Sequence, residues 1–186
     1  MERETLDVDV LIVGGGPAGL SAALRLSQLQ QGRRGEPLSI AVLEKAREAG
    51  AHLLSGAVLD PSALRELVPD FVSKGAPLEV EVREDRVYML DSGGKIPLPF
   101  TPPPLRNHGN YIIALSRFGK WLSGLVESAG VDIFAGFPGV EVLYEGDRVV
   151  GVRTGDRGIG RHGERKPNFE PGVDIRAKGT IFCDGV

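Results

Sequence analysis

The sequence predicts an α/β chain: a doubly wound sheet with a β-hairpin layer and an inserted α+β segment. Three observations predict it. Residues 8–13 are a short, largely apolar and β-branched run, the pattern of a strand buried on both faces. That run passes directly into Gly14, Gly15 and Gly16, then into a stretch opened by Pro17 and rich in Ala and Leu, which reads as a helix. A second apolar strand over residues 38–43 follows and ends on Glu44. Strand, helix and strand in this order make a parallel β-α-β unit.

The first turn is the most informative stretch. Gly14, Gly16 and Gly19 have the G-x-G-x-x-G spacing of a Rossmann-like dinucleotide site. Gly14 allows the tight turn, Gly16 lets a pyrophosphate approach the backbone, and Gly19 lets helix and sheet pack closely. Pro17 fits the first helical turn, where its missing N–H costs nothing. Ala18 follows, and the helix N-terminus points free N–H groups and a positive dipole end outward. Glu44, at the end of the second strand, is placed to accept hydrogen bonds from ribose hydroxyls. The polar insert QQGRRGEP, residues 30–37, lengthens the connection.

Size and composition narrow the class. With 186 residues the chain can form one domain with a sizeable core and a small subdomain. Its net charge of −3 gives no footprint for nucleic acid. A single cysteine, Cys183, excludes an internal disulfide framework and an all-cysteine metal site. In a strand it reads as a small core residue. No run reaches the roughly 18 apolar residues of a membrane-spanning helix. The N-terminus MERETLDVD is too charged and short for a signal or transit peptide. Starting so close to the first strand suits a prokaryotic cytoplasmic product or a chain trimmed at its start. The last residues directly follow an apolar strand, as expected for a piece of a longer protein.

The remaining elements follow in order. Residues 45–48 are polar and turn the chain. Gly50 and Gly56 bracket a loop leaving the C-terminal side of the sheet, where nucleotide cofactors sit. His52 in that loop has two readings: it faces the ring of a bound cofactor, or it bonds to backbone. Asp60 as N-cap and Pro61 at the first position open a short helix, SALRELV, closed by Pro69. Residues 79–82 and 86–90 alternate polar and apolar, the pattern of antiparallel strands in an inserted sheet. Residues 91–94 are a turn. The stretch KIPLPFTPPPLR, residues 95–106, holds five prolines beside Ile96, Leu98, Phe100 and Leu105. Proline bars it from a central strand, so it reads as an apolar loop that docks on something. Either it covers a neighbouring subdomain or it touches a membrane, with Lys95 and Arg106 reaching lipid phosphates.

Residues 110–115 read as another strand, and Ser116 caps a helix over 117–129. Phe118, Leu122, Leu125 and Val126 share one face of it, and Gly130 ends it. Residues 131–134 return to the main sheet. Residues 140–144 and 148–153 form a hairpin around Glu145, Gly146 and Asp147. Residues 154–172 read as a long Gly-rich basic loop. Residues 173–177 and 180–183 are closing strands, followed by Asp184 and Gly185. The expected domains are a βαβ segment at 1–60, the insert at 61–115 and the remainder of the first domain at 116–186.

The chain resembles the N-terminal part of the electron transfer flavoprotein–ubiquinone oxidoreductase family. The blocks that carry the resemblance are VDVLIVGGGPAGLSAALRL, GAHLLSGAVLDP, EDRVYML, NHGNYIIALSRFGKWL and GIGRHGERKPNFEPGVDIRAKGTIF. Many flavoproteins share the first block; the second, fourth and last are more selective. Flavoprotein reductases of the geranylgeranyl-reductase type, and others tied to nitrogen fixation, share the first block and parts of the fourth.

The resemblance implies FAD rather than NAD on Gly14, Gly16, Pro17, Ala18 and Gly19. It implies Glu44, with Lys45 beside it, on the adenosine ribose. It lays His52, Leu54, Ser55 and Gly56 along the flavin and Val142 at the adenine edge. Asp184 and Gly185 fall near the phosphate–ribityl region. Some relatives carry an arginine at or next to Leu115; here that task would pass to Arg117. Family members take electrons from electron transfer flavoprotein and pass them through FAD and a [4Fe-4S] cluster to ubiquinone. They are membrane-associated, which implies the cytoplasmic face of a bacterial inner membrane or the mitochondrial inner membrane. The cluster cysteines and the late FAD and quinone segments belong to a later part of the family's chain, and Cys183 matches no cluster ligand.

The expected function is therefore that of an FAD-dependent oxidoreductase, electron-transferring-flavoprotein dehydrogenase. Its redox chemistry is the flavin's own, so no acid or base catalyst is named. Two other readings are a geranylgeranyl-reductase-type flavoprotein and a non-catalytic nucleotide-binding module.

Overall fold

A computed structural model of the chain describes residues 3–32, 34–54 and 56–185. Two compact units emerge, Met1–Leu53 with Gly119–Val186, and Leu54–Phe118. In the first unit, β1 (Thr5–Val13) leads through the glycine turn into α1 (Pro17–Gln30) and then β2 (Ile40–Glu44). The helix buries Gly19, Leu20, Ala23, Leu24 and Ser27, positions three to four apart on one face. Every position of β2 is buried, as expected for an inner parallel strand.

The second unit contains β3 (Ala57–Leu59), α2 (Ser62–Leu67), β4 (Leu78–Glu81), β5 (Tyr88–Leu90), β6 (Lys95–Pro97) and β7 (Tyr111–Ile113). It also contains the first turn of α3 (Leu115–Ser128). The middle strand is β7, with β3 and β4 antiparallel on either side. Leu64, Val68, Phe71, Ile113 and Phe118 are its buried apolar residues. The unit extends beyond the 61–115 of the expected insert because β3 pairs with β7 and so joins this sheet.

Several local expectations change here. The strands at 78–81 and 88–90 do not pair with each other; β5 pairs with β6 in a separate two-stranded ribbon. The proline-rich stretch thus begins as a strand. A two-stranded ribbon consists only of edges, so Pro97 breaks no inner ladder. After it, Pro103–Leu105 forms a 3-10 turn. Pro61, not Asp60, is the N-cap of α2. The Asp60 carboxylate accepts from the Ser62 N–H at 2.9 Å and the Ser62 hydroxyl at 2.6 Å. Ser116 lies inside α3, which begins one residue earlier at Leu115.

The chain then returns to the first unit with β8 (Asp132–Ala135), β9 (Gly139–Glu145), β10 (Arg148–Thr154), β11 (Arg157–Ile159), β12 (Arg165–Glu170) and β13 (Asp174–Phe182). The main sheet runs β8-β2-β1-β13-β10-β9. Its first four strands are parallel, and β10 and β9 are antiparallel additions. Leu11, Ala41, Leu43, Val152, Ile175 and Ala177 form its buried cluster. The hairpin β9–β10 bonds to β13 only opposite residues 174–176 and folds back over that cluster. A side-chain carbon at Gly139 would stand 3.4 Å from Leu43 and 3.5 Å from Val13.

Two expectations in this stretch give way. Residues 154–172 hold the hairpin β11–β12, whose alternation is hidden by Gly158, Gly160, Gly163 and Pro167. Residues 174–182 are one strand; Gly179 does not break it because Val10 of β1 pairs opposite. Polar clips hold the strands in register. Arg153 donates to Asp174 from two nitrogens at 2.7 and 2.8 Å and to Glu141 at 2.7 Å, tying β10 to β13 and β9. Lys178 and Ser39 meet the Asp9 carboxylate; hydrogen bonding from Lys178, chiefly, holds that carboxyl down to about 2.

Candidate functional site

The chain turns from β1 into α1 against the C-terminal ends of β2 and β13. Gly14 has φ +112°, and a side-chain carbon there would stand 2.3 Å from the Cys183 carbonyl oxygen. Its N–H donates to the Leu43 carbonyl at 2.8 Å. At Gly19 an added carbon would stand 1.9 Å from the Gly14 carbonyl oxygen. Backbone contact alone therefore requires glycine at 14 and 19.

Gly16 differs: an added carbon there would meet nothing within 4 Å. The protein's own packing does not account for its glycine, whereas a ligand lying close to the backbone would. Gly16 is the N-cap of α1, with no side-chain cap and no acidic residue in the first turn. The N–H groups of Ala18 and Gly19 thus have no acceptor within the helix, and the helix's own first turn supplies no negative charge to the positive end of its dipole.

Glu44 is 9% exposed at the end of β2. Its Oε2 accepts the Gly15 N–H at 2.9 Å and its Oε1 accepts the Ala46 N–H at 2.6 Å. A carboxylate has about four lone-pair sites, so each oxygen keeps room for one further donor. Glu44 therefore shapes the glycine turn as well as facing outward, a role that the spacing of the motif did not reveal.

These groups border a cavity of about 550 Å³, within the roughly 300–1,000 Å³ of small-molecule sites. Gly14, Gly15, Gly16, Pro17 and Ala18 line it from the turn, and Leu43, Glu44 and Lys45 from β2. Gly50, His52 and Leu53 come from the next loop, Phe137 and Pro138 from the segment before β9, Gly139 from the first position of β9, and Cys183, Asp184 and Gly185 from just past the end of β13. The loop carrying His52 packs directly on α3: a side-chain carbon at Gly119 would stand 2.7 Å from Leu53 and 3.2 Å from the Gly50 Cα. Lys120 of α3 also pairs with Glu48 at 2.9 Å.

The cavity thus brings together Gly14, Gly16, Pro17, Ala18, Glu44, Lys45, His52, Asp184 and Gly185, with Gly19 buried as the helix–turn contact. It does not include Val142, which sits within β9 opposite Val152. Residues 137–139, at the entry to that hairpin, reach the cavity instead. Leu54, Gly56 and Arg117 belong to the second unit, where Arg117 donates to Glu79 at 2.9 Å. Ser55 lies outside the described residues. Cys183 is half-buried rather than a core residue, and its N–H donates to the Val13 carbonyl at 2.7 Å. Phe137, Pro138 and Gly139 were missed; a Phe-Pro-Gly triplet between two strands was the available signal.

The site fits a dinucleotide: donors for a diphosphate, open space at Gly16, and a carboxylate with unused lone pairs. Comparisons agree. The chain matches the FAD dependent oxidoreductase (DAO) family over residues 9–103. Along its whole length it is 47% identical to the probable electron transfer flavoprotein-ubiquinone oxidoreductase of Acinetobacter baylyi. It is 46% identical to the mitochondrial electron transfer flavoprotein-ubiquinone oxidoreductase of Mus musculus. It covers 33% and 30% of those two proteins, so it spans about a third of their length. A geranylgeranyl bacteriochlorophyll reductase-like protein from Thermoplasma acidophilum has the same fold: TM-score 0.67 at 24% identity, covering 97% of this chain and 40% of that one.

Proposed function

We propose, since the chain belongs to the FAD dependent oxidoreductase family, that its cavity holds FAD and that the longer protein passes electrons from electron transfer flavoprotein to ubiquinone. The cradle at Gly16 carries the first half of this reading: an unfilled approach to the backbone beside an uncapped helix N-terminus. The identity of 46–47% over the whole chain to named electron transfer flavoprotein-ubiquinone oxidoreductases supports the second. The chain's own residues bind and orient. The turn at 14–16 and the first turn of α1 receive the diphosphate. Glu44 accepts from the ribose hydroxyls, and Lys45 at the rim adds a cation. Asp184 and Gly185 flank the ribityl–phosphate stretch, and His52 lies toward the flavin. FAD, when bound, supplies the electron-accepting and electron-donating chemistry.

The reading includes a peripheral membrane contact through the ribbon β5–β6 and the turn after it. Met89, Leu90, Ile96, Phe100 and Leu105 are 49 to 75% exposed there, more apolar surface than a solvated ribbon needs. Among the described residues no helix is long and apolar enough to cross a membrane. The bilayer would be the bacterial inner membrane at its cytoplasmic face, or the mitochondrial inner membrane.

The test uses the full-length protein with reduced electron transfer flavoprotein and a short-chain ubiquinone, without oxygen. A flavin spectrum and catalysed quinone reduction are the expected results. Bound flavin without quinone reduction moves the chain to another branch of the family. Absence of any flavin overturns the cofactor.

A further inference from the structure

We infer that Arg157 is a positioning residue for the adenosine end of the cavity: it holds the ring of Phe137 as a wall for a purine. The inference rests on the dinucleotide reading of the cavity and adds to it a residue outside the lining. Phe137 borders the cavity, its N–H donates to the Glu44 carbonyl at 3.0 Å, and its side chain packs at the margin of the main sheet's buried cluster. The neighbouring Gly136 N–H donates to the Ala46 carbonyl at 2.7 Å. The main chain of 136–137 is therefore bound to the end of β2, beside the carboxylate expected to meet the ribose. A purine on that ribose lies next to Phe137.

The ring also meets Arg157. Its guanidinium carbon stands 4.7 Å from the ring centroid, within reach of a cation–π contact. Arg157 arrives from β11, where the pairing with β12 shifts register between Arg157 and Ile159. Gly158 sits in that irregularity with φ +67°, and a side-chain carbon there would stand 2.4 Å from the Asn168 carbonyl oxygen. Irregularities of this kind re-aim side chains. The competing partner of Arg157, Glu170, is at 3.3 Å and the pair is largely exposed, so the ring contact is not outcompeted. Beyond Gly136 the ideal side-chain carbon would stand 3.4 Å from the same guanidinium, so the arginine lies along residues 136–137.

The probes are ADP and CDP, which share ribose and diphosphate and differ in the base, titrated into the 186-residue chain freed of bound dinucleotide. Arg157→Met should lower the preference for ADP over CDP about three- to tenfold, as loss of a cation–π contact allows. Arg157→Lys, which keeps the cation, should restore most of it. If ADP and CDP affinities fall together, Arg157 supports the fold rather than the purine wall and the inference fails. An unchanged preference in Arg157→Met also overturns it. Gly16→Val separates this from failure of the underlying reading. If wild type does not bind ADP, or Gly16→Val binds it equally well, the dinucleotide site itself is wrong.

Discussion

Glu44 has one observed role and one proposed role for its carboxylate, and the two can be measured apart. It accepts from the N–H groups of Gly15 and Ala46, and its remaining lone pairs are the ones proposed to meet a ribose. Glu44→Ala leaves both N–H groups without that acceptor, at about 1–3 kcal/mol for each buried unpaired donor. The apoprotein should therefore lose up to about 2–6 kcal/mol, read as a lower urea midpoint. In the full-length protein, loss of a charged hydrogen bond worth about 1.5–3 kcal/mol weakens FAD binding roughly 10- to 100-fold. Glu44→Gln keeps one oxygen, so it should sit between Ala and wild type in stability. An unchanged FAD dissociation constant in the Ala variant removes the ribose assignment. An unchanged midpoint removes the turn-shaping role. The carboxylate was legible as an acidic residue at the end of a strand. Its backbone partners were not, because Gly15 and Ala46 approach it only once the turn and β2 lie side by side.

At the scale of elements, periodicity carried the sequence reading where strands are long and buried. β1, α1, β2 and the hairpin β9–β10 stand within a few residues of their expected limits. It failed where pairing partners are distant or short. Nothing local tells residues 88–90 to pair with 95–97 rather than 78–81, and glycine and proline mask the hairpin β11–β12. The ribbon β5–β6 also revises the apolar contact. Leu98 is half-buried and its N–H donates to the Val87 carbonyl at 2.9 Å, whereas Ile96 and Phe100 are 57% and 63% exposed. Full burial of those two would contribute about 1.5–3 kcal/mol each as an upper bound. Ile96→Asp with Phe100→Asp should therefore release the full-length protein from liposomes in a flotation assay while its flavin stays bound. If the double variant keeps its flavin and floats as wild type does, the ribbon is not the membrane contact.

For the whole molecule, the cavity is assembled from five separate stretches of the first unit, and this decides what the 186 residues can hold. The glycine turn and Glu44 were readable in order along the chain. Residues 137–139 and Cys183 were not, since only the laid-back hairpin and the parallel β13 bring them to the turn. The polar groups that converge are suited to a ribose and a diphosphate: the N–H groups of Gly16 and Ala18, with Glu44 and Lys45. His52, Leu53, Asp184 and Gly185 also line the cavity, and in the function proposed above they are the first unit's contribution toward the flavin. A cofactor site normally covers about 70–90% of its ligand, and the relatives are about three times as long as this chain. The chain should accordingly retain the adenosine half and lose the flavin half. Purified alone, residues 1–186 should carry well under one FAD per chain after dialysis, yet bind ADP in calorimetry, while the full-length protein is yellow. One FAD per chain surviving dialysis would show that residues 1–186 already complete the site. Loss of FAD together with ADP would place the weakness in the glycine turn and not in the missing flavin cover.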